Sequence, residues 1–156
     1  MSYRFSRILL GVAAILAVPA QAQNREVPYW ATIRYDETNM RVGPSKEYKI
    51  DWVYRRKGLP VKVLRVLEGW RLIEDPDGTR GWVAQRQLNP QRGALVIGED
   101  PAPMRAAGEN SADIKWRLEP GVVGTLGDCD EGWCQMNVEN RKGYVPQNRL
   151  WGPGEP

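Results

Sequence analysis

The sequence predicts an all-β protein made of two tandem copies of one small barrel or sandwich. The first observation behind this prediction is an internal duplication, in which the same landmarks recur in the same order at an offset that falls only from 64 to 62 residues. The second is that turn signals separate short β-rich runs about every 8 to 12 residues, with no sustained helical period of apolar residues beyond the amino terminus. The paired landmarks are Met40-Arg41 with Met104-Arg105, Ile50-Asp51-Trp52 with Ile114-Lys115-Trp116, Gly58 with Gly121, Gly69-Trp70 with Gly132-Trp133, Gly81-Trp82-Val83 with Gly143-Tyr144-Val145, and Leu88 with Leu150.

Residues 1–22 have the composition of a secretory signal peptide. Arg4 and Arg7 form a basic start, residues 8–18 are apolar, and Ala20-Gln21-Ala22 is a small-x-small cleavage signal. The alternative is an uncleaved membrane anchor, but the apolar run is shorter than the ~20 residues that a spanning helix needs. The sequence therefore predicts cleavage after Ala22 and a periplasmic or secreted protein with no membrane span after cleavage.

The remaining chain is nearly neutral. Its net charge falls from +3 to +1 once Arg4 and Arg7 are removed, so the basic isoelectric point does not indicate a nucleic-acid partner. The charge is uneven, however: residues 39–88 hold 11 basic and 6 acidic side chains (+5), whereas residues 95–152 hold 6 basic and 9 acidic ones (−3). This asymmetry is explained either by ordinary surface scatter, or by copies that have different partners or attract each other.

The elements of each copy follow from short β-rich runs between turn residues. We assign residues 23–29 to a polar lead, 30–90 to the first domain, 91–152 to the second domain and 153–156 to a tail. A domain of this size is marginal alone and the connection at 89–94 is short, so we expect the copies to touch and stabilise each other. The predicted strands of the first copy are Trp30–Tyr35, Trp52–Tyr54, Leu59–Leu67, Trp70–Glu74 and Trp82–Ala84, with turns at Val42–Ser45, Lys57-Gly58, Glu68-Gly69 and Asp75–Gly78 and a 3₁₀ turn at Arg86–Leu88.

The two cysteines, Cys129 and Cys134, flank a short turn in the second copy. A hairpin there would place them opposite each other on paired strands, within reach of a disulfide, and export would bring the chain into a compartment where disulfides persist. Free thiols or a metal pair are the alternatives, although a chain without His and without further Cys cannot supply a Cys-rich zinc site. We predict a disulfide.

The repeated motifs resemble those of bacterial SH3-like (SH3b) domains. Residues 39–45 resemble the N-x-R-x-G-P-S opening of that family, and residues 57–63 resemble its K-G-x-x-V-x-V strand. The Gly-Trp landmarks match as well, while the second copy lacks the Gly-Pro of the opening. The tandem arrangement is similar to exported SH3 proteins of alphaproteobacteria. The resemblance implies five-stranded, partly open barrels with a binding or adaptor role, in some members on peptidoglycan; fold alone does not determine function.

The second copy also resembles eukaryotic SH3 domains along their peptide groove. Trp133 follows an acidic-Gly turn, and Pro146 and Asn148 lie in a G-x-x-P-x-N stretch. Arg149 stands where the groove Tyr would be, and the first copy has Ala84 and Arg86 in place of Pro and Asn. These departures argue against recognition of PxxP ligands.

Aromatic and basic residues are the remaining candidates for a ligand site. We expect Trp82 and Tyr144 to be core residues. Trp70 and Trp133 follow turns and should be partly exposed. For Trp52 and Trp116, the sequence allows a core position or an exposed one. Exposed aromatic rings suit sugars or peptides. A basic cluster, Arg55-Arg56-Lys57, lies next to Trp52 and Tyr54, where it would be either a solvated hairpin tip or an anion-capturing site.

The sequence offers no support for catalysis. Without His, the usual Ser-His and Cys-His pairs cannot form, and no phosphate loop or metal-ligand spacing occurs. We therefore predict no catalytic residues, no cofactor and no metal. The expected function is non-catalytic binding of peptidoglycan or a peptide at the cell envelope; the alternatives are a scaffold that docks an envelope protein and, less favoured, a cell-wall hydrolase.

Overall fold

The computed structural model describes residues 25–156, which form two antiparallel sheets of seven strands each. The predicted signal peptide lies outside the described residues. In each copy, one 3₁₀ turn precedes the strand that comes last in the chain. These turns are Gln85–Gln87 and Gln147–Arg149. The strands of the first copy are β1 Tyr29–Ile33, β2 Thr38–Arg41, β3 Ile50–Tyr54, β4 Pro60–Leu67, β5 Trp70–Glu74, β6 Arg80–Ala84 and β7 Leu88–Asn89; those of the second are β8 Gly93–Val96, β9 Ala102–Arg105, β10 Ile114–Leu118, β11 Val123–Asp130, β12 Trp133–Val138, β13 Arg141–Pro146 and β14 Leu150–Trp151.

The two sheets have the same topology, which confirms the duplication. The strand order is β3-β2-β6-β5-β4-β1-β7 in the first copy and β10-β9-β13-β12-β11-β8-β14 in the second. Five consecutive strands of each sheet, β6-β5-β4-β1-β7 in the first, correspond to the expected open barrel. The hairpin β2-β3 adds two more strands at the β6 edge. Its first strand, Thr38–Arg41, was not predicted, because it is short and mostly polar.

Close packing explains why the Met-Arg and Gly landmarks recur together. Met40 and Met104 are fully buried, and a Cβ added at Gly81 or Gly143 would lie 2.5 Å from the Cγ of the facing methionine. Only glycine leaves room for that methionine against the neighbouring strand. The arginine that follows each methionine donates a hydrogen bond of 2.6 Å across the loop after β2 or β9, to the carbonyl of Tyr48 or Ala112.

Each copy has its own apolar core, and two expected members are not in it. Trp82 and Tyr144 are only half-buried. Successive side chains of a strand point to opposite faces, so the buried Gly81 and Val83 place Trp82 on the outer face. The buried core residues of the first copy include Ile33, Met40, Val61, Val63, Ile73 and Val83, and those of the second include Val96, Met104, Leu126, Met136 and Val145.

The two copies contact each other along a seam centred on Trp30. Its indole nitrogen donates to the carbonyl of Gly154 over 3.0 Å, and its ring meets Trp151 edge-on with centroids 5.3 Å apart. The Nζ of Lys62 lies 5.6 Å from the centroid of the Trp30 ring and 4.5 Å from that of the Trp151 ring. Arg56 of the first copy donates to the carbonyl of Gly121 in the second copy. These contacts hold the copies together, as the length of the connection led us to expect.

The predicted disulfide between Cys129 and Cys134 is confirmed. The two residues face each other across the β11-β12 hairpin, with Cα atoms 4.0 Å apart. Glu131 and Gly132 form the two-residue turn, both with positive φ. The bridge therefore links the two strands one pair before the hairpin turn.

Reduction of this disulfide is expected to lower the free energy of unfolding by about 2 kcal/mol, because it releases the constraint on a small loop of the unfolded chain. Chemical denaturation of the oxidised and reduced protein measures the difference without changing a side chain. The C129A/C134A variant is the control, since its denaturation midpoint should not respond to reductant. Equal midpoints for the oxidised and reduced wild-type protein would contradict the expectation.

Candidate functional site

A groove in the second copy brings together three of the residues singled out in the sequence. Trp133 pairs with Pro146 across β12 and β13, and Asn148 follows in the 3₁₀ turn. The turn is held by a 2.8 Å hydrogen bond from the Gln147 amide to the Gly132 carbonyl. The groove has a volume of about 680 Å³ and is lined by Asn110, Gly132, Trp133, Pro146, Gln147, Asn148, Leu150 and Pro153.

The loop between β9 and β10 supports the Trp133 side of this groove. A Cβ added at Gly108 would lie 3.1 Å from the Trp133 Cβ and 3.3 Å from the Tyr144 ring, so the loop backbone packs against both residues. Trp133 is half-buried, which leaves part of its ring available to a ligand. The groove thus combines a fixed aromatic surface with two prolines and three amide side chains.

No charged side chain of residues 25–156 lines this groove. Its amides, on Asn110, Gln147 and Asn148, can each donate and accept hydrogen bonds. Such a lining suits an extended, polar but locally uncharged ligand, with an apolar group against Trp133.

The corresponding groove of the first copy has different chemistry. It is lined by Gly69, Gln85, Arg86 and Leu88, which match Gly132, Gln147, Asn148 and Leu150 in the repeat. Trp70, the counterpart of Trp133, is half-buried and pairs with Ala84, but it does not line the groove.

Trp52, Tyr54 and Arg56 meet in a cleft of about 360 Å³ between the copies. Trp52 is 58% exposed, whereas Tyr54 is only 5% exposed. The Tyr54 hydroxyl donates to Asp75 over 3.0 Å, and burial, reinforced by that carboxylate, raises the pKa of Tyr54 well above its ordinary value. The Asp75 carboxylate also accepts hydrogen bonds from the backbone amides of Asp77 and Thr79. Tyr54 therefore organises a turn, and little of it is presented to a ligand.

The basic run Arg55-Arg56-Lys57 does not form one surface. Arg55 lies 3.9 Å from Glu37, while Arg56 donates to the carbonyl of Gly121 in the second copy. Lys57 lines a separate groove between the copies. The side chains of these three consecutive residues therefore lie in three different environments, because the chain turns between β3 and β4.

Sequence reasoning missed a second set of basic residues. Arg25, Arg34, Arg71 and Arg86 line the groove of the first copy and come from four separate parts of the chain. The excess positive charge of residues 39–88 could have indicated Arg71 and Arg86, but Arg25 and Arg34 lie outside that range, and the charge count does not say which residues converge.

Among residues 25–156, no group of Asp, Glu and Cys is placed to hold a metal ion. In the same range, no helix is long and apolar enough to cross a membrane.

The family of the chain is decided by two matches in tandem. A model of the bacterial SH3 domain matches residues 34–90 and again 98–152. The chain belongs to the bacterial SH3 domain family. The grooves beside the two 3₁₀ turns are therefore equivalent positions of two SH3 domains.

Similarity to whole proteins is low. No curated protein matches this SH3 protein. Among solved structures it is similar to NlpC1 from Trichomonas vaginalis, with 13% identity, a TM-score of 0.37 and coverage of 92% of this chain and 51% of that one. It is similar to NlpC2 from the same organism, with 10% identity, a TM-score of 0.37 and coverage of 83% of this chain and 49% of that one. It is also similar to an NlpC/P60 family protein from Bacillus cereus, with 10% identity, a TM-score of 0.37 and coverage of 81% of this chain and 57% of that one. The chain thus spans about half the length of these proteins, and the SH3 assignment depends on the family match and the strand topology.

Proposed function

We propose that this protein is a non-catalytic binding module of the cell envelope, and that its second SH3 domain recognises peptidoglycan or a peptide segment. The observation that carries the proposal is the convergence of Trp133, Pro146 and Asn148 in one groove. An extended peptide can place apolar atoms on Trp133 while its backbone exchanges hydrogen bonds with Asn148 and its amide neighbours.

The groove supports a peptide other than a PxxP segment. Arg149, which stands at the position of the groove Tyr of eukaryotic SH3 domains, is turned towards the loop after β8. It donates to the carbonyls of Ile97, over 3.3 Å, and of Asp100. One wall of a proline-binding groove is therefore missing, while the uncharged amide lining remains.

Several features support binding without chemistry. The chain has no His, and both cysteines are tied in the disulfide. The buried carboxylate of Asp75 is used by Tyr54 and by two turn amides. Zymography of the purified protein on cell-wall substrate should give no clearing; clearing would overturn this part of the proposal.

Replacing Trp133 by alanine should weaken binding of soluble peptidoglycan fragments about 10-fold or more, because it removes the aromatic surface of the groove. Binding is measured by NMR titration of the indole and backbone N–H signals. In the wild-type protein, the signals of Trp133 and of Asn148 should shift.

The matched control is Trp70→Ala, which removes the equivalent tryptophan of the first domain and should leave binding intact. Circular dichroism is used to check that both variants fold. If wild-type signals stay unmoved at millimolar fragment and purified sacculi do not retain the protein at low salt, the peptidoglycan proposal is wrong.

A protein partner is the second candidate, because apolar side chains are exposed on the first domain. Ile50 and Trp52 lie on β3, the edge strand of the first sheet, and are 40% and 58% exposed. An unpaired edge with apolar side chains can accept another protein. Crosslinking in intact cells through residue 52 would favour this candidate if it captured one protein while sacculi failed to bind.

A further inference from the structure

The groove of the first SH3 domain is lined by four arginines. It has a volume of about 520 Å³ and lies beside the 3₁₀ turn Gln85–Gln87, between β1 and the β4-β5 hairpin. Arg86 occupies the position that Asn148 has in the second domain. The two copies of the groove therefore differ, one having an uncharged lining and the other a strongly basic one.

The positive charge of this groove is not compensated by acidic groups of residues 25–156. Its lining contains no Asp or Glu, and the ion pairs in the described range use other cations. Arg71 is held by neutral groups, donating to the Tyr29 hydroxyl over 3.0 Å and to the Trp70 carbonyl over 2.8 Å. Arg25 lies over the Tyr29 ring at 5.8 Å. Both guanidinium groups are therefore oriented while they keep their full charge.

The basic lining continues into the neighbouring groove between the domains. Arg34 and Asn89 line both grooves, and the second one, of about 540 Å³, adds Lys57 and Arg92. Its acidic residue, Glu139, is 3.5 Å from Arg141. We call the two connected grooves the basic track. Its cations are Arg25, Arg34, Lys57, Arg71, Arg86 and Arg92.

We propose that the basic track binds a linear polyanion that carries carboxylate or phosphate groups at intervals along its chain. A guanidinium matches either group with two parallel hydrogen bonds. Like charges lined up without acids repel each other, and that repulsion is relieved by an anion. One small anion can neutralise only part of the track, whereas a chain can pass from one groove to the next through Arg34.

The shape of the surface favours a chain over a membrane. The cations line two concave grooves, and a flat layer of lipid headgroups cannot enter both. The proposal is independent of the peptide groove, because it uses different residues and a different ligand.

The test measures binding of the purified protein to polygalacturonate, which carries carboxylates, and to short-chain polyphosphate, by isothermal titration calorimetry at low ionic strength. The variant is R34A/R86A. Both side chains are exposed, and the Arg34 amide that donates to Gln87 over 2.9 Å is retained in alanine, so the fold should survive. The control is K46A/R117A, which removes two exposed cations outside the basic track.

We expect the wild-type protein and the control to bind at least one chain, and R34A/R86A to bind it about 10-fold or more weakly. Preference for one chain tells carboxylate from phosphate recognition. Trp133→Ala should have no effect, which separates this proposal from the peptide groove. The proposal is overturned if neither chain binds, if both double variants weaken binding equally, or if anionic phosphatidylglycerol vesicles bind the protein while both chains do not.

Discussion

Replacing Trp30 by alanine is expected to lower the free energy of unfolding by roughly 3 to 5 kcal/mol, the usual cost of truncating a large buried aromatic side chain. Trp30 is only 8% exposed. It supplies the hydrogen bond to Gly154, the edge-on contact with Trp151 and part of the surroundings of Lys62. All three contacts cross or border the seam, so the variant should destabilise both copies. Circular dichroism during chemical denaturation measures the change.

Trp52→Ala is the control for this prediction. Trp52 is the same residue type but is 58% exposed on an edge strand, so its removal should cost less than about 1 kcal/mol. If Trp30→Ala costs no more than Trp52→Ala, the seam contributes little to stability and the two copies fold independently.

The Gly152→Ala variant is expected to lose roughly 3 kcal/mol, from overpacking together with backbone strain. Gly152 is buried and has a φ of +121°, which favours glycine. An added Cβ would overlap the carbonyl oxygen of Gly93 and lie 3.2 Å from the Cα of Ala94. Both neighbours are backbone atoms of β8, which cannot move without disturbing the sheet. Thermal unfolding followed by circular dichroism measures the loss.

Gly154→Ala is the matched control two residues later. Gly154 also has a positive φ, +75°, but the nearest atom to an added Cβ is 3.9 Å away, on the flexible side chain of Gln147. We expect a loss of only about 1 kcal/mol, from the backbone alone. Equal losses in the two variants would show that the close approach at Gly152 does not matter.

The seam also has a functional consequence. One groove of the basic track is lined by residues of both copies, so the contacts that join the copies also shape that groove. Variants that loosen the seam should therefore weaken polyanion binding, because this groove takes residues from both domains.

Part of the candidate site could be predicted because its residues lie in local motifs. An acidic-Gly-Trp turn contains Trp133, and a G-x-x-P-x-N stretch contains Pro146 and Asn148. The β12-β13 register brings the two motifs together. A hairpin register depends on its turn and on the alternation of buried side chains, both of which are written in consecutive residues. The peptide groove is thus largely a local feature.

The basic cluster shows the opposite case. Arg55, Arg56 and Lys57 are neighbours in sequence but separate in space, whereas Arg34 and Arg86 are far apart in sequence and share one groove. Their meeting depends on where β1, the β4-β5 hairpin and the 3₁₀ turn lie in the folded sheet, which no local pattern records.

By itself, the sequence determined the all-β class, the duplication, the SH3 family and the disulfide, because each of these depends on residue types at short or repeated spacings. Only the tertiary structure decided that Trp82 faces outwards, that Tyr54 is buried against Asp75, and that Trp30 joins the two copies. It also decided that one groove is uncharged and its duplicate is lined by arginines. The physical reason is that exposure and electrostatic environment depend on all the elements packed around a residue, and most of those elements lie far away along the chain.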